Sequence, residues 1–263
     1  MIGGIAGDCI GSRYEGKIKA STPNFRLFTK KSHFTDDSVH IVAVADSILN
    51  SKNYADTLKD YYKRYPYVGY GSGFRAWAES NTFKPYNSYG NGSAMRVSPV
   101  AYIFDNEEDI LKEAKRSAIC THDHEEGIKG AQSIALAIFM ARKGASKEDI
   151  YEAMTKRMGY NLLNIPNGFF SSCQGSIPQA LVAFFESSDY IDTIRRAVMF
   201  MGDSDTLACI AGSIAQEYYR KHGLDAIPQY VILKTFERLP KDLSSIVVEF
   251  IQKYIDINFK KPK

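Results

Sequence analysis

MGDSDTLACIAGSIA, residues Met201–Ala215, sets Asp203, Asp205 and Thr206 directly before a run of small apolar residues. The run reads as a helix whose small side chains permit close packing. Its counterpart is FTDDS, Phe34–Ser38, where Thr35, Asp36 and Asp37 precede the apolar run Val39–Leu49. Any one of these residues is explained as an N-cap that satisfies orphan amide donors. Capping accounts for one side chain per helix, not for a pair of carboxylates plus a hydroxyl at both places. Their mutual repulsion calls for a cation, and a hard, oxygen-only donor set selects Mg²⁺, Mn²⁺ or Ca²⁺ over zinc. If the two acidic knots meet, four carboxylates and two hydroxyls suffice for two divalent ions with open positions for water and substrate hydroxyls. Hydrolysis is the chemistry that follows.

Working outward, apolar residues at three- and four-residue spacing predict helices over Tyr54–Arg64, Glu107–Ile119, Gly127–Arg142, Lys147–Arg157, Ile177–Ser187, Tyr190–Met201, Thr206–His222 and Leu243–Tyr254. No comparable run of β-branched alternation occurs, and short connections such as Gly144–Ser146 carry cap signals. The expectation is an all-α fold in one domain, residues 1–263. Residues 2–11, with Gly3, Gly4, Gly7 and Gly11, predict a first helix buried by close packing, in which Asp8 needs a buried partner. The segment after Gly16, running to His33, carries neither period and reads as a loop. Tyr65–Gly92 reads as turn-rich, with Tyr67, Tyr70, Phe74, Trp77, Phe83, Tyr86 and Tyr89 either stacking on a flat ligand or covering the core. The basic tail Phe259–Lys263 is expected to fray.

The hydrophobic fraction of 44% is that of a globular protein, and a net charge of +3 gives no nucleic-acid footprint. Cys9, Cys120, Cys173 and Cys209 form no CxxC pair, and the first residues lack the pattern of a signal peptide. No stretch reaches the roughly 20 apolar residues of a membrane span. A soluble, cytoplasmic protein with reduced thiols is expected.

Two glycine-bearing turns come next: GNGSAMR, Gly90–Arg96, and SSCQGS, Ser171–Ser176. Free backbone amides in such turns bind phosphate, and two of them fit a diphosphate-bearing ligand. Arg96 either adds a contact or pairs structurally. In THDHEE, Thr121–Glu126, the histidines lie two apart and share no helix face, and no third ligand is specified, which argues against zinc. His122 is read as a hydrogen-bonding residue at the ligand and His124 as structural.

GDCIGSRYEG (Gly7–Gly16), FTDDS, YGSGFRAW, GNGSAMRV (Gly90–Val97), Thr121–His122, CQGSIPQALVAFFES and GDSDT (Gly202–Thr206) together resemble the ADP-ribosylglycohydrolase family in order and approximate spacing. The resemblance implies a compact orthogonal multi-helix bundle with a binuclear Mg²⁺ centre, Mn²⁺ being the alternative. Its implied activity is cleavage of the glycosidic bond between ADP-ribose and an acceptor: a protein side chain, a nucleic-acid base or a small adduct. Carried over by position, the metal ligands are Thr35, Asp36, Asp37, Asp203, Asp205 and Thr206. Glu15 matches a glutamate on a flap near the metals, and either Glu15 or Asp36 activates water. Gly90, Asn91, Gly92, Ser93, Met95 and Arg96 match the diphosphate- and ribose-binding turn, and His122 matches a ligand-contacting histidine. Ser38 stands where many relatives have threonine, and Met201 where a second glycine is common. The competing expectations are a catalytically silent ADP-ribose reader of the same fold and a two-metal phosphohydrolase acting on the diphosphate.

Overall fold

The computed structural model describes residues 1–16, 22–223, 227–256 and 258–261. Residues 17–21 of the expected loop and the last two residues of the expected frayed tail lie outside the described residues. Those described form thirteen α-helices and no strand: α1 Ile2–Gly11, α2 Asp36–Leu49, α3 Tyr54–Arg64, α4 Ser72–Glu79, α5 Gly92–Arg96, α6 Glu107–Ala118, α7 Glu125–Lys143, α8 Lys147–Glu152, α9 Cys173–Phe185, α10 Tyr190–Met199, α11 Ser204–Lys221, α12 Gln229–Phe236 and α13 Lys241–Tyr254. The all-α expectation holds.

Helix α11 is the centre of the molecule. It is buried from Ser204 to Glu217 and packs on α1, α7, α9 and α10. Its closest neighbour is α1, every residue of which is buried. Gly3 lies against Gly212, Gly7 against Ala208 and Gly11 against Ser204, so the two helices run antiparallel in a fixed register. A Cβ at Gly7 would fall onto the Ala208 carbonyl, and one at Gly11 onto the Ser204 carbonyl. The helix penalty of the glycines is thus offset by backbone-to-backbone contact. Gly7→Ala is expected to destabilise the fold by about 3 kcal/mol, the upper end for forced overpacking, read from the midpoint of urea unfolding.

The antiparallel register places the C-terminal end of α1, and Glu15 beyond it, beside the start of α11. Asp8 then brings in α2. Fully buried on α1, its carboxylate accepts from the Thr35 amide (3.0 Å), the Thr35 hydroxyl (2.8 Å), the Ser38 amide (3.1 Å) and the Ser38 hydroxyl. These four bonds are the buried partner that Asp8 requires, and they clamp the first turn of α2 to α1.

Three helices escape the sequence pattern. In α4, Gly71 and Gly73 mask a two-turn helix that buries Phe74, Trp77 and Ala78. The five-residue α5 lies within the glycine turn, and α12 follows Pro228 for two turns. α9 starts a turn earlier than expected, capped by the Ser172 hydroxyl on the Gly175 amide, with Pro178 tolerated inside it. The expected helix Lys147–Arg157 ends in a π-helical turn, Ala153–Arg157.

Candidate active site

The first turns of α2 and α11 face one another across a cavity of about 590 Å³. Their direct link is the Thr206 hydroxyl, which donates to Asp37 Oδ2 at 3.2 Å across 169 positions of sequence. At α2 the capping explanation is partly right: Thr35 Oγ1 accepts from the Asp37 amide at 3.3 Å. At α11 it fails, because Asp203 occupies the N-cap position without a side-chain cap bond. Its carboxylate instead accepts from Asn91 Nδ2 at 2.8 Å. Carboxylate oxygens of Glu15, Asp203 and Asp205 lie within 4.8 Å of one another. Asp37 Oδ1 and Asp205 Oδ1 are buried with no hydrogen-bond partner.

Burial, followed by the neighbouring carboxylates, pushes Asp36, Asp37 and Asp205 well above the usual carboxylate range. Glu15, exposed at the cleft mouth, is raised by partial desolvation of its carboxyl and then by Asp203. The folded state without a cation therefore holds protons that the unfolded chain releases above about pH 4. For a raised carboxylate the stabilising contribution is present below the unfolded value and fades as pH rises through the folded one. The melting temperature of the cation-free protein should accordingly fall as pH is raised from about 4 towards 8, and a double Asp37→Asn, Asp205→Asn variant should show a flatter profile in calorimetry. Such a clustering fits a hard divalent cation: the donors are all oxygens, and two buried ones lack a partner.

The sequence-derived set is brought together here with two exceptions. Thr35, Asp36, Asp37, Asp203, Asp205, Thr206, Glu15, Gly90, Asn91, Gly92, Met95 and His122 all line the cavity. Ser93 and Arg96 do not, which corrects their assignment to ligand binding. The Ser93 hydroxyl is spent on the Gly127 carbonyl at 2.7 Å. Arg96 is fully enclosed and donates to the Ser117 carbonyl (2.9 Å) and the Thr121 hydroxyl (2.8 Å), so it fastens the α6–α7 connection. Asn91 joins the glycine turn to the acidic knot, since its amide nitrogen also donates to Ser176 Oγ at 3.0 Å. The two glycine turns lie side by side: Gly90 bridges Ser172, and the Asn91 amide donates to the Ser171 carbonyl at 2.9 Å.

His122 contacts Thr121 Oγ1 through Nδ1 at 2.7 Å, and burial, reinforced by Arg96, holds it neutral. A Cβ on Gly92 would sit 3.2 Å from His122 Nε2, so a larger residue there would crowd the ring. His124 caps α7 through its ring nitrogen, the structural role expected of it. The sequence reading missed His33, His40, Ser88 and Phe169 on the cavity wall, while Ser171, from the second glycine turn, lies on it. Of these, His40 had a signal: it lies one helical turn after Asp36. Tyr67, Phe74 and Tyr86 line the cavity, whereas Trp77 is buried in the core. Among the described residues the lining carries no lysine or arginine.

The loop before α11 carries local strain. Met201 has φ +57°, in the left-handed region, and a Cβ on the following Gly202 would fall onto the Gly168 carbonyl. Met201→Gly is expected to stabilise the protein by about 0.5–1 kcal/mol, the released strain less the entropy glycine adds to the unfolded chain, measurable by urea unfolding.

Fold and site together define an all-α protein built around a carboxylate-lined cleft. The sequence profile of the ADP-ribosylglycohydrolase family matches residues 1–255. The chain is 26% identical to ADP-ribosylhydrolase ARH3 of Homo sapiens, over 87% of this chain and 86% of that protein. It is 26% identical to ADP-ribosylhydrolase ARH3 of Danio rerio, over 87% and 83%. A shorter match, 25% identical over 54% of this chain and 41% of the other, is to ADP-ribosylarginine hydrolase Tri1 of Pseudomonas putida. Among solved structures, an ADP-ribosylglycohydrolase-related protein complex shares the fold with a TM-score of 0.76, covering 95% of each chain at 24% identity. The chain belongs to the ADP-ribosylglycohydrolase family. No helix among the described residues is long and apolar enough to cross a membrane.

Proposed function

We propose that this chain hydrolyses the glycosidic bond between ADP-ribose and its acceptor, with Thr35, Asp36, Asp37, Asp203, Asp205 and Thr206 holding two Mg²⁺ ions, or Mn²⁺ in their place. The observation that carries the reading is the meeting of the two acidic knots at the Thr206–Asp37 contact, with two buried carboxylate oxygens left partnerless on a wall that, among the described residues, holds no lysine or arginine. Bound there, the cations would neutralise the carboxylates and polarise ribose hydroxyls and water.

The chain's own residues divide the remaining work. Gly90–Gly92 and Ser171 offer backbone and hydroxyl contacts to the diphosphate, and His122, held neutral, hydrogen-bonds the ligand beside them. Asp36, Asp37, Asp203 and Asp205 orient the distal ribose so that its anomeric carbon faces the rim. Glu15 takes the proton from the attacking water: it is the solvent-exposed member of the carboxylate group, whereas the others are half-buried or buried. Its raised affinity for protons makes it a stronger base than an ordinary carboxylate.

The test is release of free ADP-ribose from arginine- and serine-linked conjugates, with and without a chelator. Release that stops on chelation and returns with Mg²⁺ is expected. No release from any linkage would overturn the proposal, and AMP plus ribose 5-phosphate as products would move the cleaved bond to the diphosphate.

A further inference from the structure

Phe169 lines the cavity with its side chain 54% exposed, yet the backbone that carries it is fastened on both sides. It lies in the irregular segment that leads into α9. On the N-terminal side, Gln179 Nε2 donates to the Pro166 carbonyl (2.7 Å) and the Gly168 carbonyl (3.2 Å). The Gly168 amide donates to the Phe200 carbonyl at 3.2 Å. On the C-terminal side, Ser176 Oγ donates to the Phe170 carbonyl at 2.5 Å, and the Asn91 amide holds the Ser171 carbonyl at 2.9 Å. The Phe170 side chain packs so closely on Gly175 that a Cβ there would fall onto it. Phe169 is thus left with an apolar ring in water on an anchored backbone.

Gln179 is the unusual member of this set. It is fully enclosed on α9, and among the described residues its Oε1 has no hydrogen-bond partner. An enclosed amide with an unmet acceptor is a costly core residue, and an apolar side chain of the same size would not carry that cost. What the amide supplies is the hold on Pro166 and Gly168. Gly168 rests against Gly202, the residue before Asp203, and Ser171 belongs to the second glycine turn. Phe169 therefore stands between the acidic knot of α11 and the turn. Its exposed ring is apolar area that a ligand spanning those two places would cover.

We propose that Phe169 contacts the ligand, its ring covering the ADP-ribosyl group between the glycine turns and the acidic knot, and that Gln179 is the positioning residue that holds it there. The assignment rests on the function proposed above. Gln179 is not on the cavity wall, so its influence on binding passes through the segment that carries Phe169.

Calorimetric titration of ADP-ribose with Mg²⁺ into the wild type, Phe169→Ala, Phe169→Tyr, Gln179→Met and the Phe169→Ala, Gln179→Met double variant tests the proposal. Phe169→Ala should weaken binding about tenfold, the worth of half an aromatic side chain covered, and Phe169→Tyr, which keeps the ring, should bind as the wild type does. Gln179→Met should weaken binding about three- to tenfold alone and add nothing in the Phe169→Ala background, because residues that act as one unit are not additive. A disturbance of the fold around Asp203 would instead cost the same in both backgrounds. Unchanged affinity in Phe169→Ala would overturn the proposal, as would a Gln179→Met loss that persists without the ring, or no loss at all. Phe169→Ala removes an exposed ring and leaves the core intact, so it decides the ligand contact by itself. Should Gln179→Met fail to fold, Gln179→Asn, which keeps the amide but shortens its reach, takes its place with the same readings. A wild type that binds no ADP-ribose would refute the proposed function itself, a separate outcome.

Discussion

Asp205→Asn is expected to lower kcat/KM for release of ADP-ribose by about a thousandfold, well above the tenfold to hundredfold that outer-shell partners of a metal typically cost. The side chain is almost fully buried at the start of α11, and its Oδ1 has no protein partner. Asparagine preserves the shape and removes the charge. In the cation-free protein that removal should help, because Asp203 and Asp37 crowd the carboxylate and push its proton affinity up. The variant should therefore melt no lower than the wild type without cation and gain less from Mg²⁺ than the wild type does. Loss of activity with retained stability distinguishes a lost ligand from a lost fold. A variant that is inactive because it is unfolded would argue that Asp205 is a structural residue.

Glu15→Gln is the second large effect. General-base catalysis contributes roughly a hundredfold to ten-thousandfold, and a loss of about a hundredfold or more in kcat is expected on this substitution. Glu15 follows the short 3₁₀ turn Ser12–Tyr14 at the end of α1 and reaches the Asp203–Asp205 pair from the solvent side. Binding of ADP-ribose should stay close to that of the wild type, since glutamine keeps the size and the polar contacts. Glu15→Gln should also remove the acid limb of the kcat–pH profile, which reports protonation of the base. If the limb persists while activity falls, Asp36 is the base and Glu15 only positions the water.

Much of this was legible because the long helices bury broad apolar faces that leave a three-and-four spacing in the sequence. The two acidic knots were legible for a different reason: they carry more oxygens than capping can use. Their convergence was expected from the repulsion of the carboxylates and from the family resemblance, but the contacts that bring it about depend on tertiary register. Gly3, Gly7 and Gly11 announced a close approach, but only the structure shows that Gly212, Ala208 and Ser204 are the partners, and with them that Glu15 arrives beside Asp203. Asp8 showed a need without an answer until Thr35 and Ser38 supplied it. Ser38, a departure from the family pattern, takes part in that clamp. Arg96 could be read two ways from sequence, and its enclosure beneath the α6–α7 connection decides for the structural one. Helices α4 and α12 escaped because two turns give too few periods to recognise, and glycine or proline at their borders reads as loop.

The central claim is that α2 and α11 each supply half of one cation site. Anomalous diffraction from crystals grown with Mn²⁺ tests it most directly. The account predicts anomalous peaks between Asp36–Asp37 and Asp203–Asp205, with carboxylate oxygens at roughly 2.0–2.4 Å. Crystals in which the two knots carry no peak, or in which Mn²⁺ sits elsewhere while the enzyme remains active, would contradict it.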